Sequence, residues 1–277
     1  MKRILFSFLT ILAIIIFTVS SCKKDPVVAD DNDTDIEAAE DNSYAESVFT
    51  DVFNMTDEAA REHAGFYKNG LDEKGILADC AIITADTTVS LRKITIDFGT
   101  GCVGKDGRTR TGKIIITFTG RYRSKGTVIK HTFDNYTVNG NKVEGEKTVT
   151  NMGKNANGNL VYKIEVKNAK ITTSNGIISW ESTREREWIS GQNTAITSDD
   201  EYAVSGAASG TNRRGKTYEA TITEPLHVKA GCKWITKGKL EVKPQGKLKR
   251  TVDYGNGDCD NVATATIGSK TFTYQMK

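Results

Sequence analysis

Cys80-Ala81-Ile82-Ile83-Thr84, then Thr95-Ile96-Asp97-Phe98-Gly99-Thr100-Gly101-Cys102, then Gly112 ahead of the apolar run from Lys113, has a counterpart near the other end of the chain. There Cys232-Lys233-Trp234-Ile235-Thr236 is followed by Thr251-Val252-Asp253-Tyr254-Gly255-Asn256-Gly257-Asp258-Cys259 and by Gly268. The shared order is cysteine, Ile-Thr, Thr-apolar-Asp-aromatic-Gly-x-Gly, cysteine and a later glycine. It reads as an internal duplication of one disulfide-stapled β-unit, over 80–122 and 232–277.

Between the copies the hydrophobic period is two. Ile114, Ile116, Phe118 and Tyr122 alternate with Lys113, Thr117 and Arg121, while Leu160, Tyr162, Ile164 and Val166 alternate with Lys163, Glu165 and Lys167. Each segment reads as a strand with one buried face. Asn139-Gly140, Asn157-Gly158, Asn175-Gly176 and Asn256-Gly257 suit the left-handed geometry of tight hairpins, and Lys243-Pro244-Gln245-Gly246 supplies another turn. No helical pattern after residue 75 provides a parallel crossover. The expected fold is therefore an all-β body over 75–277: a long-stranded antiparallel meander, as a β-sandwich or a curved half-barrel sheet.

One amphipathic helix is expected before it, over 44–70. Tyr44, Val48, Val52, Met55, Ala59, His63 and Phe66 recur at steps of three and four, widened by Phe49 and Phe53. Ser43-x-x-Glu46 has the form of a capping box and Asn69-Gly70 that of a stop. The stripe reads as a face docked on the β-body or as a stalk, with His63 packed rather than ligating.

The N-terminus addresses location. Met1-Lys2-Arg3 is basic, Ile4 to Val19 is apolar but shorter than the ~20 residues of a spanning helix, and small residues close the run. Val19-Ser20-Ser21-Cys22 resembles the lipobox of bacterial lipoproteins, which implies a signal peptide over 1–21 and acylation of Cys22. Residues 22–43 are acidic and poor in large apolar side chains, as expected of a solvated tether. Of five cysteines, the four besides Cys22 allow three pairings. The positions bracketing each copy favour Cys80–Cys102 and Cys232–Cys259, and no Cys-x-x-Cys spacing supports a zinc site.

Chemistry is harder to find. On Trp180, Arg184, Arg186 and Trp188 one strand face is aromatic at both ends and cationic between, while Glu181, Glu185 and Glu187 occupy the other. Such a face either lines a wet groove, where tryptophans stack on sugars and arginines hold an anion, or plugs the core. Gly99-Thr100-Gly101-Cys102-Val103-Gly104 has dinucleotide-fingerprint spacing, but a strand rather than a helix is expected after it. Asp253, Asn256, Asp258 and Asp260 form an oxygen-rich loop, a weak calcium candidate equally explained by Asx turns. His131 and His227 stand singly, and no metalloprotease, nucleophile-elbow or Ser-x-x-Lys signature occurs in the mature body. No cofactor, metal or catalytic residue is expected, although two carboxylates can meet in space from distant positions. The chain has 38 Lys and Arg against 35 Asp and Glu, and from Gly75 onward 31 against 20. A basic body beside an acidic tether suits anionic headgroups or polysaccharide; nucleic acid is not expected outside the cytoplasm.

The runs Ile94-Thr95-Ile96-Asp97-Phe98-Gly99-Thr100-Gly101-Cys102 and Thr132-Phe133-Asp134-Asn135-Tyr136-Thr137-Val138-Asn139-Gly140 resemble uncharacterised cell-envelope lipoproteins of Bacteroidota. The resemblance implies an outer-membrane lipoprotein, on its surface or periplasmic side, without catalytic residues to carry over. The expected role is a non-enzymatic binding or structural module for a glycan or protein partner. The alternatives are a carrier of lipid or another amphiphile with an apolar groove in a curved sheet, and a glycan-acting hydrolase.

Overall fold

The period-two segments form one continuous antiparallel sheet. In chain order its strands are β1 (Ile82–Asp86), β2 (Arg92–Asp97), β3 (Cys102–Val103), β4 (Thr109–Phe118), β5 (Val128–Val138), β6 (Asn141–Lys154), β7 (Leu160–Thr173), β8 (Gly176–Ser190), β9 (Glu201–Thr211), β10 (Thr217–Lys229), β11 (Ile235–Pro244), β12 (Arg250–Asn256), β13 (Val262–Ile267) and β14 (Lys270–Gln275). Each pairs with its sequence neighbour, except that β2 pairs with β4 and β3 is a short flap on β4. This computed structural model describes residues 33–62, 77, 79–88, 91–194 and 198–277. The expected signal peptide, Cys22, His63, Phe66 and Asn69-Gly70 lie outside them.

The sheet is a curved one rather than a sandwich, and what it curves around is the helix α1 (Glu37–Glu62). Side chains of α1 reach Arg110 on β4, Phe133 on β5, Trp180 on β8, Tyr202 on β9, Tyr254 on β12 and Tyr274 on β14. Strand irregularities accompany the bend. The β6–β7 register shifts between Glu144 and Glu146, where Gly145 has φ 118° and a Cβ would stand 2.7 Å from the Ala169 backbone. The extra residue and the glycine let the strand fold inward, as β-bulges do.

The helix differs from its expected span. It starts at Glu37, seven residues before Tyr44, with the Asp35 carboxylate accepting the Glu37 N–H as an N-cap. Ser43 is consequently mid-helix, and its hydroxyl bonds the Tyr254 and Tyr274 hydroxyls at 2.7 and 2.9 Å instead of capping. Asp33, Glu37, Asp41, Asn42 and Ser43 are all buried, so most of the described part of the expected tether is interior, with Thr34 and Asp35 exposed. The apolar stripe holds as read: Tyr44, Val48, Phe49, Val52, Phe53, Met55 and Ala59 are buried.

Both disulfides are present, Cys80–Cys102 and Cys232–Cys259, with Cα separations of 5.6 and 5.8 Å. Each ties a residue shortly before a hairpin's first strand to one a few residues beyond its second, Cys102 in β3 and Cys259 after β12. In both hairpins an aspartate accepts the N–H two residues on, Asp97 from Gly99 and Asp253 from Gly255, turning the intervening Phe98 or Tyr254 into the core. Beyond the second cysteine the next full strand pairs antiparallel with the hairpin's second strand in both copies, β4 with β2 and β13 with β12, and then pairs with β5 or β14; the first copy adds the flap β3. Gly112 lies inside β4 while Gly268 lies between β13 and β14. Asn256-Gly257 ends β12 without forming a hairpin, Gly257 N–H bonding Thr236 O; Asn139-Gly140 is a tight turn with both φ positive.

Candidate functional site: an interior charge lattice and an outer trough

Strand β8 presents Trp180, Arg184, Arg186 and Trp188 to the helix, not to solvent. Trp180 is 2% exposed, stacks on Phe49 at 5.5 Å and donates its indole N–H to Asn42 Oδ1 at 3.0 Å. Trp188 is equally buried against Tyr202, with the Arg123 guanidinium 4.2 Å above its ring. Trp234 is half-buried against the core. The wet groove for sugar stacking is thus replaced by a slot filled by α1. The reason is charge: the cationic middle of β8 faces the acidic segment that reads, in sequence, as solvated.

The pairing continues around the helix. Glu46 accepts from Arg184 at 2.7 Å, and Asp51 from Arg110 at 2.7 Å and Arg108 at 3.2 Å. Asp57 accepts from Arg61 at 2.7 Å, Arg123 at 3.1 Å and the Tyr122 hydroxyl at 2.5 Å. Asp41 binds Arg213, and Asp33 binds Arg250 at 2.7 Å. Burial opposes ionisation of Asp57, Asp106 and Asp33, yet their arginine and hydrogen-bond partners hold all three below the usual carboxylate range. Asp200 goes the other way: burial outweighs its Arg61 partner and pushes it up to about 6. Lys147 and Arg186 have no carboxylate partner among the described residues. Lys147 donates to the Phe49 carbonyl, and Arg186 lies 3.5 Å over the Phe53 ring.

The sheet's outer face carries a different feature. Outward positions of β9 are Ala203, Ser205, Ala207, Ser209 and Thr211, all small. In register, Ser209 lies between Glu181 on β8 and Glu219 on β10, and Ala207 between Thr183 and Thr221. The outcome is a trough floored by β9 and walled by longer side chains, with hollows of about 1470 and 430 Å³ sharing Glu181, Ser209 and Glu219. Lys170, Lys243 and Lys247 flank the larger hollow. At roughly 4.8 Å per strand, the Glu181 and Glu219 backbones stand roughly 10 Å apart. No outward periodicity marks this trough in the sequence, because small residues occupy both faces of β9.

Elsewhere, Gly99 to Gly104 is a turn and flap leading into β4 rather than a helix N-terminus. The Asp253 and Asp260 carboxylates accept backbone N–H groups two residues on, and no group of three or more metal-ligating side chains gathers among the described residues. His227 bonds Glu201 at 2.7 Å.

Two consequences are measurable. Asp51→Asn leaves Arg108 and Arg110 undercompensated, so urea unfolding is expected to show a loss of roughly 3–5 kcal/mol; a loss near zero contradicts the pairing. His131 is buried with Nδ1 donating to the Lys147 carbonyl, and burial with the nearby Lys147 charge lowers its pKa from 6.5 to about 3. In that window the unfolded chain binds the extra proton, so stability falls as pH drops through it. His131→Leu is expected to lose less stability than the parent between pH ~6.5 and ~4.5; equal losses contradict this. Compared with protein-family models, curated proteins and solved structures, the chain matches none.

Proposed function

We propose that this chain is a lipid-anchored cell-envelope binding module, non-enzymatic, that takes an extended protein segment along the β9 trough. The trough itself carries the reading. Its floor of Ser and Ala leaves room for a partner's side chains, and its walls mix carboxylates and lysines. Trp180 and Trp188 are turned inward, so neither ring is offered to a stacked sugar, which favours a protein partner. A lipid carrier draws no support, since α1 fills the inner slot such a ligand requires. One observation favours a second reading: Glu181 and Glu219 flank Ser209 on the same face of the sheet, and a carbohydrate hydrolase needs two such neighbouring carboxylates. The Bacteroidota resemblance and the Cys22 signal support the membrane address.

Photo-crosslinking residues placed at Ser209 and at Lys93 in the full-length protein, in cells, test this. A discrete protein adduct from Ser209 but not Lys93, and release of the chain from the membrane fraction by Cys22→Ser, are expected. Equal labelling at both positions overturns the trough; membrane retention of the Cys22 variant overturns the anchor. Carbohydrate cleavage lost in Glu181→Gln favours the hydrolase instead.

A further inference from the structure

A small cavity lies between α1 and the inner faces of β6 to β10. About 30 Å³ is open to a water's centre there, room for roughly one or two waters and not for a phosphate. Lys147, Ser182, Arg184 and Arg186 line it, with Phe53 and Tyr202. Ser182 Oγ, Arg184 Nη1 and Arg186 Nε are buried without a hydrogen-bond partner. The Lys147 ammonium donates to the Phe49 carbonyl, which accounts for one of its three hydrogens.

The charge balance is one-sided. Glu46 is the carboxylate on this wall, and Arg184 engages it through Nε and Nη2. Lys147 and Arg186, at 3% and 5% exposure, form no ion pair among the described residues; Glu46 and Asp51 act on Lys147 only across a longer distance, and burial with the Arg186 charge outweighs them. The rings of Phe53, Tyr162 and Tyr202 offset part of the Arg186 charge, as cation–π contacts do. An isolated buried ion costs several kcal/mol, more than ring faces supply. Water accepts two hydrogen bonds but brings no charge. A halide brings both an acceptor for unpaired donors of this lining and negative charge.

We infer that this cavity is a binding site for one small monovalent anion of the halide class, held by Lys147, Ser182, Arg184 and Arg186. The bound anion locks α1 against β8. Burial and the Arg186 charge lower the Lys147 pKa to about 7, and an adjacent anion favours its charged form.

Two measurements on the full-length protein in detergent decide it. Crystals grown in bromide are expected to show an anomalous peak in the cavity. Thermal unfolding in chloride or bromide is expected to lie about 2–4 °C or more above that in gluconate of equal ionic strength, since a ligand of the folded state alone raises the midpoint. Lys147→Met and Ser182→Ala, which keep the Arg184–Glu46 pair, are expected to reduce this increment. Water without anomalous signal, equal midpoints in chloride and gluconate, or a full increment in both variants overturns the site.

Discussion

The fold depends on burying an acidic helix inside a sheet whose inner face supplies the opposite charge. Glu46 with Arg184, Asp51 with Arg108 and Arg110, Asp57 with Arg123, and Asp33 with Arg250 set the rotation and depth of α1. A core of apolar residues alone tolerates sliding, whereas a buried pair displaced by one turn leaves two bare charges. The cost of that mismatch, several kcal/mol per ion, makes the docking specific even where the net gain of each pair is small.

This constraint explains why a single curved sheet suffices. Strands β4, β5, β6, β8, β9, β12 and β14 lend side chains to the same helix, so the helix takes the place of the second layer that a sandwich would need. The disulfides close the β1–β2 hairpin at one edge of the sheet and the β11–β12 hairpin two strands in from the other. With the interior occupied by α1, the free face of the sheet is the outer one, and the small-residue trough along β9 lies there.

Much of the sheet was legible because its strands bury one apolar face: Ile114, Ile116 and Phe118 announce β4 with period two. The disulfide pairing was legible from the bracketing of like segments. The first turns of α1 were not. Glu37-Ala38-Ala39-Glu40-Asp41-Asn42 has no large apolar residue, so hydrophobic periodicity is silent, and burial there is carried by ion pairs. For the same reason the sequence left Arg184 and Arg186 open between a wet groove and a core face with paired charges, and the structure gives the second. The usable signal was the excess of cations after residue 75 facing an excess of anions before it, which marks intramolecular partners as well as external ones. Ser43-x-x-Glu46 misled because the chemistry of a capping box also serves two interior contacts, Ser43 with tyrosines and Glu46 with arginine.

Hydrogen exchange of residues 37–62 tests the buried acidic helix most directly. Amides from Glu37 to Asn42 should exchange as slowly as those of β7 and β8, opening only with global unfolding. Exchange of Glu37 to Asn42 at the rate of a solvated chain, while the strands stay protected, would contradict it.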